Sequence, residues 1–380
     1  MLDTINNRLR RLTYWQWAMV GIVVLLLVST HWAWSWHCSS MAYRRLAQKY
    51  PQNSEKVWLV PQWLQHPQWE RAKWYVKRPT GFHLNFRRID DAVLRDLQSL
   101  PTIRSLTICN EDPFQGIVSE LPTPADASDL NAVVQRIARL RHLELLHFYS
   151  PSISEADLEE LSQLPHLEVL SLVGSNLSDL SALPRLQRLK SLSLTCDSIT
   201  ATGWKHVSEV SDLESLILWG MTIPAADFQH LGACRKLKTL TLLRTNVSSD
   251  CWRVIAQLTA LEELHMTIAK IAEPERNQIP QLPKLWLLDL TGSDVVDESL
   301  VRLAECPGLT ELRLLKTPVT DAVIPHLLRI PNLKTLDLRW TNVTKAGSEE
   351  FSRARPEVTL RWEEKVTDEA LLPKPVDEPQ

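Results

Sequence analysis

The chain has 380 residues, 44% of them hydrophobic, enough for a sizeable core, and a net charge of -3 gives no reason to expect nucleic acid as a partner. Ten glycines argue against Gly-rich phosphate loops, and the six cysteines (Cys38, Cys109, Cys196, Cys234, Cys251 and Cys306) include no CxxC pair of the kind that holds zinc or works in redox chemistry.

Residues 1–12 form a short tail. Between Arg11 and Arg44 there is no Asp, Glu, Lys or Arg, and inside this window lies the apolar run from Ala18 to Val28. Tyr14, Trp15 and Trp17 bracket it on one side, Trp32, Trp34 and Trp36 on the other. A bilayer core takes about 20 helical residues, and amphipathic rings favour the headgroup level. The pattern predicts a transmembrane helix over residues 13–36. A cleaved signal peptide is the alternative, with Ser40-Met41-Ala42 as a small-x-small cleavage site. The flanking tryptophans favour a retained anchor, and the sequence before Cys38 is no lipobox. Arg8, Arg10 and Arg11 precede the span; Arg44, Arg45 and Lys49 follow it at greater distance. This favours a cytoplasmic N-terminus with the rest of the chain outside the cytoplasm.

Residues 37–80 carry Trp58, Trp63, Trp69 and Trp74 among Lys, Gln and Pro. They read as a stalk and N-terminal cap, because a stack of repeats must cover its terminal apolar face. From residue 81 to 362 the chain repeats itself. Taking the first apolar residue of each short strand as position 0 gives Phe82, Leu106, Leu146, Leu170, Leu192, Leu216, Leu240, Leu264, Leu288, Leu312, Leu336 and Leu360. Most steps are 24 residues; Leu106 to Leu146 is 40 and Leu170 to Leu192 is 22. Apolar residues recur at -12, -9, -6, -3, 0, +2 and +7, as in Phe228, Leu231, Cys234, Leu237, Leu240, Leu242 and Val247. Arg276 is the clear breach of these columns between Leu146 and Leu336. The 0/+2 pair is a strand signature, and the step of three suits a helical turn with one buried face. Each unit is one turn of a coil, and stacked units bury a continuous core. The long step holds an insertion at about residues 110–129, acidic and Pro-bearing. Residues 363–380 form an acidic, Pro-bearing tail expected to be unstructured.

Leu237-Lys238-Thr239-Leu240-Thr241-Leu242 and Leu333-Lys334-Thr335-Leu336-Asp337-Leu338 carry the LxxLxL signature. On these residues the chain resembles the leucine-rich-repeat family, and in particular its bacterial 24-residue and cysteine-containing subclasses. The resemblance implies an α/β solenoid, a horseshoe with a parallel concave sheet and convex helices, here preceded by one transmembrane helix. It departs from the family at +5, where Thr245, Thr317, Thr341, Ser175 and Ser293 replace the usual Asn. A hydroxyl bonds loop backbone less completely than an amide. Cys234 and Cys306 share the -6 column three repeats apart, roughly 14 Å at about 4.8 Å per strand. That exceeds disulfide reach, so they read as small core residues.

No HExxH, Walker-type loop or GxSxG motif appears, and no catalytic residue, metal site or cofactor is expected. His206, His230 and His326 share the -10 column, and repeated polar surface positions account for them better than a metal site does. Asn176, Asn246 and Asn342 begin NxS/T sequons in one column. The expected function lies on the concave face, where side chains at -1, +1 and +3 point away from the core. Ile217, Trp219 and Leu243 form an apolar cluster there, followed by His265, Asp289, Arg313, Asp337 and Arg339. Apolar patches rimmed with polar groups mark protein contacts, with Trp and Arg as anchors. The alternative is that the charges merely neutralise one another across strands. The sequence thus predicts a membrane-anchored module that binds a protein partner of unknown identity and is not an enzyme. A structural cell-envelope protein that packs laterally through its convex face is the alternative.

Overall fold

Every leucine at position 0 with its +2 partner puts two apolar side chains on one face of a short strand, and neighbouring units pair these strands column upon column. The computed structural model describes residues 57–59, 78–85, 103–109, 127–149, 153–175, 177–196, 199–248, 250–271 and 279–364. The expected transmembrane helix at 13–36, most of the stalk and cap, nearly all of the insertion, Arg276 and the tail beyond residue 364 lie outside these residues. Among the described residues no helix is long and apolar enough to cross a membrane.

The chain divides into two units between Thr107 and Ile108. In the first, Val57–Leu59 pairs antiparallel with Arg78–Asn85, the strand that contains Phe82. In the second, helix Ala127–Ile137 opens within the last residues of the expected insertion. A parallel sheet then follows in strict chain order. Its strands are Leu145–Tyr149, Val169–Ser175, Ser191–Cys196, Ser215–Trp219, Thr239–Leu243, Glu263–His265, Leu287–Asp289, Glu311–Arg313, Thr335–Asp337 and Thr359–Arg361. The zero-position leucines sit opposite one another throughout: Leu146↔Leu170, Leu170↔Leu192, Leu192↔Leu216, Leu216↔Leu240, Leu240↔Leu264, Leu264↔Leu288, Leu288↔Leu312, Leu312↔Leu336 and Leu336↔Leu360. From Leu146 to Leu336 these leucines are fully buried. Each such side chain contributes about 1.5–3 kcal/mol relative to exposure. A repeat is named below by its zero-position leucine.

Opposite the sheet the chain alternates between short α-helices, such as Glu155–Leu161, Ala201–Ser208 and Lys345–Ala354, and 3-10 segments such as Gln229–Ala233 and Asp297–Glu305. A 3-10 helix has three residues per turn, so an apolar step of three keeps one face inward. Leu300, Leu303 and Cys306 are buried along one such line. The +7 residues are buried too, and Thr222–Ile223, Asn246–Val247 and Lys270–Ile271 pair there as a small parallel sheet.

The hydroxyls at +5 do the loop-bonding work expected of them. Ser293, Thr317 and Thr341 are buried and each donates to the carbonyl three residues back, at 2.7 Å in every case. Thr245 reaches across to the Leu218 carbonyl of the preceding repeat at 3.1 Å. Buried hydroxyls need such partners, since an unpaired one costs about 1–3 kcal/mol. Cys196, Cys234, Cys251 and Cys306 are buried, and burial pushes the thiols of Cys234 and Cys251 up to about 11 and about 12.

The short repeat is held by a residue that the columns do not mark. The Glu155 carboxylate accepts hydrogen bonds from the backbone amides of Ser178 and Asp179 at 2.7 Å and of Leu180 at 3.2 Å. Leu180 lies in the left-handed region (φ +58°), and the 3-10 turn Leu183–Arg185 stands where other units place a longer helical segment.

Candidate functional site: the open face of the sheet

Strand alternation sends the residues at -1, +1 and +3 to the face opposite the described helices. In the Leu216 and Leu240 repeats this places Ile217, Trp219 and Leu243 together. Trp219 and Leu243 are direct cross-strand neighbours, Ile217 pairs with Thr241, and all three apolar side chains are half-buried.

The charged residues that follow are committed to one another. Asp289 is buried between His265 and Arg313: His265 Nδ1 lies 3.8 Å away, and Arg313 Nη1 donates to Oδ2 at 3.2 Å. The Asp289 carboxylate also accepts the backbone amide of Thr291 at 3.0 Å, a local side-chain-to-backbone turn. Burial pushes this carboxyl up, but the hydrogen bonds from His265, Thr291 and Arg313 outweigh it and hold the group at about 2. His265 is raised above its ordinary value by Asp289 first and by Glu263, 3.5 Å from Nε2, against the opposing effect of burial. Arg313 also binds Glu311, at 2.7 Å. Two strands on, Asp337 is only 3% exposed, and Arg339 grips it with two donors, Nε to Oδ1 at 3.0 Å and Nη2 to Oδ2 at 2.6 Å. The same Asp337 carboxylate accepts the Arg339 backbone amide at 3.2 Å.

The structure therefore brings the eight sequence-derived residues onto one face but divides them by state. Asp289 and Asp337 were expected to face a partner; instead their carboxylates turn into their own loops, because an Asp at +1 reaches the +3 amide. Ile217, Trp219 and Leu243 keep their apolar surfaces uncommitted. Among the described residues no group of three His, Cys, Asp or Glu side chains could hold a metal ion.

Sequence reasoning missed a row beside this face. The +4 residues Gly220, Arg244, Ile268, Gly292, Lys316 and Trp340 all have positive φ, between +50° and +70°. Their amides donate to the +3 carbonyl of the next repeat: Arg244 to Thr267, Ile268 to Thr291, Lys316 to Arg339 and Trp340 to Glu363, at 2.7–3.0 Å. The ladder fixes the backbone, and each non-Gly residue there bears about 1 kcal/mol or more of strain, most of all the β-branched Ile268. Ile268 and Trp340 are also exposed large hydrophobics, at 46% and 37%. Gly is the residue such a position ordinarily selects, and Gly220 and Gly292 carry that sign while Arg244, Ile268, Lys316 and Trp340 hide it.

No protein-family model and no curated protein matches the sequence. Among solved structures the chain is similar to an internalin from Listeria monocytogenes (16% identity, 72% of this chain and 83% of that one, TM-score 0.47). It is also similar to a leucine-rich-repeat protein of Leptospira interrogans (17% identity, 70% and 74%, TM-score 0.43). A third is the mouse RP105/MD-1 complex (17% identity, 70% of this chain and 44% of that one, TM-score 0.48). The chain's own buried columns and parallel pairing give an α/β solenoid of stacked repeats, the architecture that the leucine-rich-repeat resemblance implies.

Proposed function

We propose that this chain is a protein-binding module, held at a membrane by residues 13–36, whose open sheet face makes the contact. One observation carries the reading: Ile217, Trp219 and Leu243 lie side by side on that face, half-buried and with no helix over them among the described residues, while the charged residues beyond are already paired. Desolvating an uncommitted apolar cluster is favourable, and a neighbouring surface of satisfied ion pairs excludes water without demanding new partners. The anchor reading rests on the uncharged, Trp-flanked window between Arg11 and Arg44, and the arginines close before it support an orientation with the repeats outside the cytoplasm. The test is affinity purification of the full chain from detergent beside its Trp219→Ala/Leu243→Ala variant. Loss of a specific protein from the variant, with its unfolding midpoint unchanged, is the expected result; an identical set of captured proteins would refute the site.

A further inference from the structure

The geometry points to a second recognition element on this chain, resting on the protein-binding reading above: an apolar and basic strip along the C-terminal edge of the strands, which takes an extended acidic–aliphatic segment of a partner protein. The strip is built from +3 and +4 residues of the repeats from Leu216 to Leu336, Trp219, Leu243, Ile268, Leu315 and Trp340, with Thr291 and Gly292 in the Leu288 repeat between Ile268 and Leu315. It runs roughly 24 Å at about 4.8 Å per strand. Its members are locked together. Ile268 leans over the next repeat so closely that a Cβ on Gly292 would lie 3.2 Å from Ile268 Cγ1. In the same way Lys316 leaves its own repeat and sets its ammonium 4.7 Å from the centre of the Trp340 ring.

Two features together indicate a ligand. The backbone under Ile268 and Trp340 is left-handed, yet these positions hold large, exposed hydrophobics where Gly would sit without strain. Strain retained on an exposed surface, with little burial in return, is the pattern of a functional position. The strip's charge is one-sided: Arg244 and Lys316 are exposed, and among the described residues no carboxylate pairs with either. A segment lying along the strip crosses the strands. Carboxylates would meet Arg244 and Lys316, and aliphatic side chains would meet Leu243, Ile268 and Leu315. Burying such cations against carboxylates gives selectivity of charge sign and a strong salt dependence.

The experiment uses the purified full chain and two fluorescent twelve-residue probes, one alternating Glu and Leu, the other Lys and Leu, read by anisotropy from 50 to 500 mM NaCl. The Glu/Leu probe is expected to bind at least tenfold more tightly than the Lys/Leu probe and to weaken with salt. Arg244→Glu/Lys316→Glu should invert that preference. Ile268→Gly should weaken Glu/Leu binding at least threefold while raising the unfolding midpoint, which separates lost contact from lost fold. Equal binding of the two probes, or binding untouched by these three substitutions, overturns the strip. If Ile217→Ala abolishes binding while Ile268→Gly leaves it intact, the open-face reading survives and the strip does not. Binding that appears only after deletion of residues 365–380, whose carboxylates include Asp368 and Glu369, makes the chain's own end the occupant and also overturns a partner.

Discussion

The open face of one continuous sheet has two unlike halves over the same buried columns. From the Leu146 to the Leu240 repeat the strands run five to seven residues, and the face carries Ser171, Ser193, Ile217, Trp219 and Leu243. From the Leu264 to the Leu336 repeat they run three residues, and the face carries Glu263, His265, Asp289, Arg313 and Asp337. Nothing in the core separates the halves: Leu216 and Leu312 are equally buried. A repeat constrains the columns it buries and leaves the open columns free to diverge. Polar residues placed there then satisfy one another and their own turns before they can serve a partner.

The largest expected effect tests the sameness of the core. Leu216→Ala and Leu312→Ala should each cost about 2–5 kcal/mol in urea unfolding, since both leave a cavity in a fully packed column. A cost in one half only would mean the halves do not share one core.

The next effect tests the difference between the faces. Asp289→Ala leaves the Thr291 amide without its acceptor and takes a partner from Arg313 and His265, and should cost about 1.5–3 kcal/mol, the range for hydrogen bonds to a charged group. Thr241→Ala, on the other half of the face, should stay within about 0.5 kcal/mol. Equal costs would show that the charged half is no more internally committed than the neutral one.

Stability should follow pH through the same network. Asp289 is held below its ordinary 3.8, at about 2, so its contribution is present above pH 3.8 and disappears as the pH falls towards 2. A shift of that size corresponds to about 2 kcal/mol. His265 is raised above 6.5, so its contribution is complete below that pH and is lost as the pH climbs through the higher folded value. The unfolding midpoint should therefore decline on both sides of a window from about pH 4 to 6.5, and His265→Gln should flatten the alkaline side and, by removing a partner of Asp289, lessen the decline on the acid side. An unchanged alkaline slope in that variant would contradict the assignment.

The smallest effect concerns the +4 row. Ile268→Gly relieves a left-handed isoleucine that is nearly half exposed, and should raise stability by up to about 1 kcal/mol. A clear loss would show that the side chain does more for the fold than its exposure indicates.

The sequence exposes the core of this molecule and conceals its surface, for a physical reason. Burial selects side chains by hydropathy at a fixed interval, so Leu240, Leu264 and Leu288 could be aligned from spacing alone. The direction a polar side chain takes follows from hydrogen-bond opportunities that spacing does not encode. Asp289 and Asp337 looked like presented charges and are turn-forming carboxylates. Glu155 occupies no repeated column, yet it holds the loop that makes the 22-residue step fit. Backbone sign is equally hidden, because Arg244, Ile268, Lys316 and Trp340 carry none of the Gly or Asn signature of a left-handed position.

The contrast between the halves meets its most direct test in three proteins purified side by side from detergent: the unaltered chain, Trp219→Ala/Leu243→Ala, and Arg313→Gln/Arg339→Gln. Quantified recovery of the captured protein should collapse for the first variant and persist for the second. Recovery that survives the first and collapses for the second would place recognition in the charged half and contradict the account.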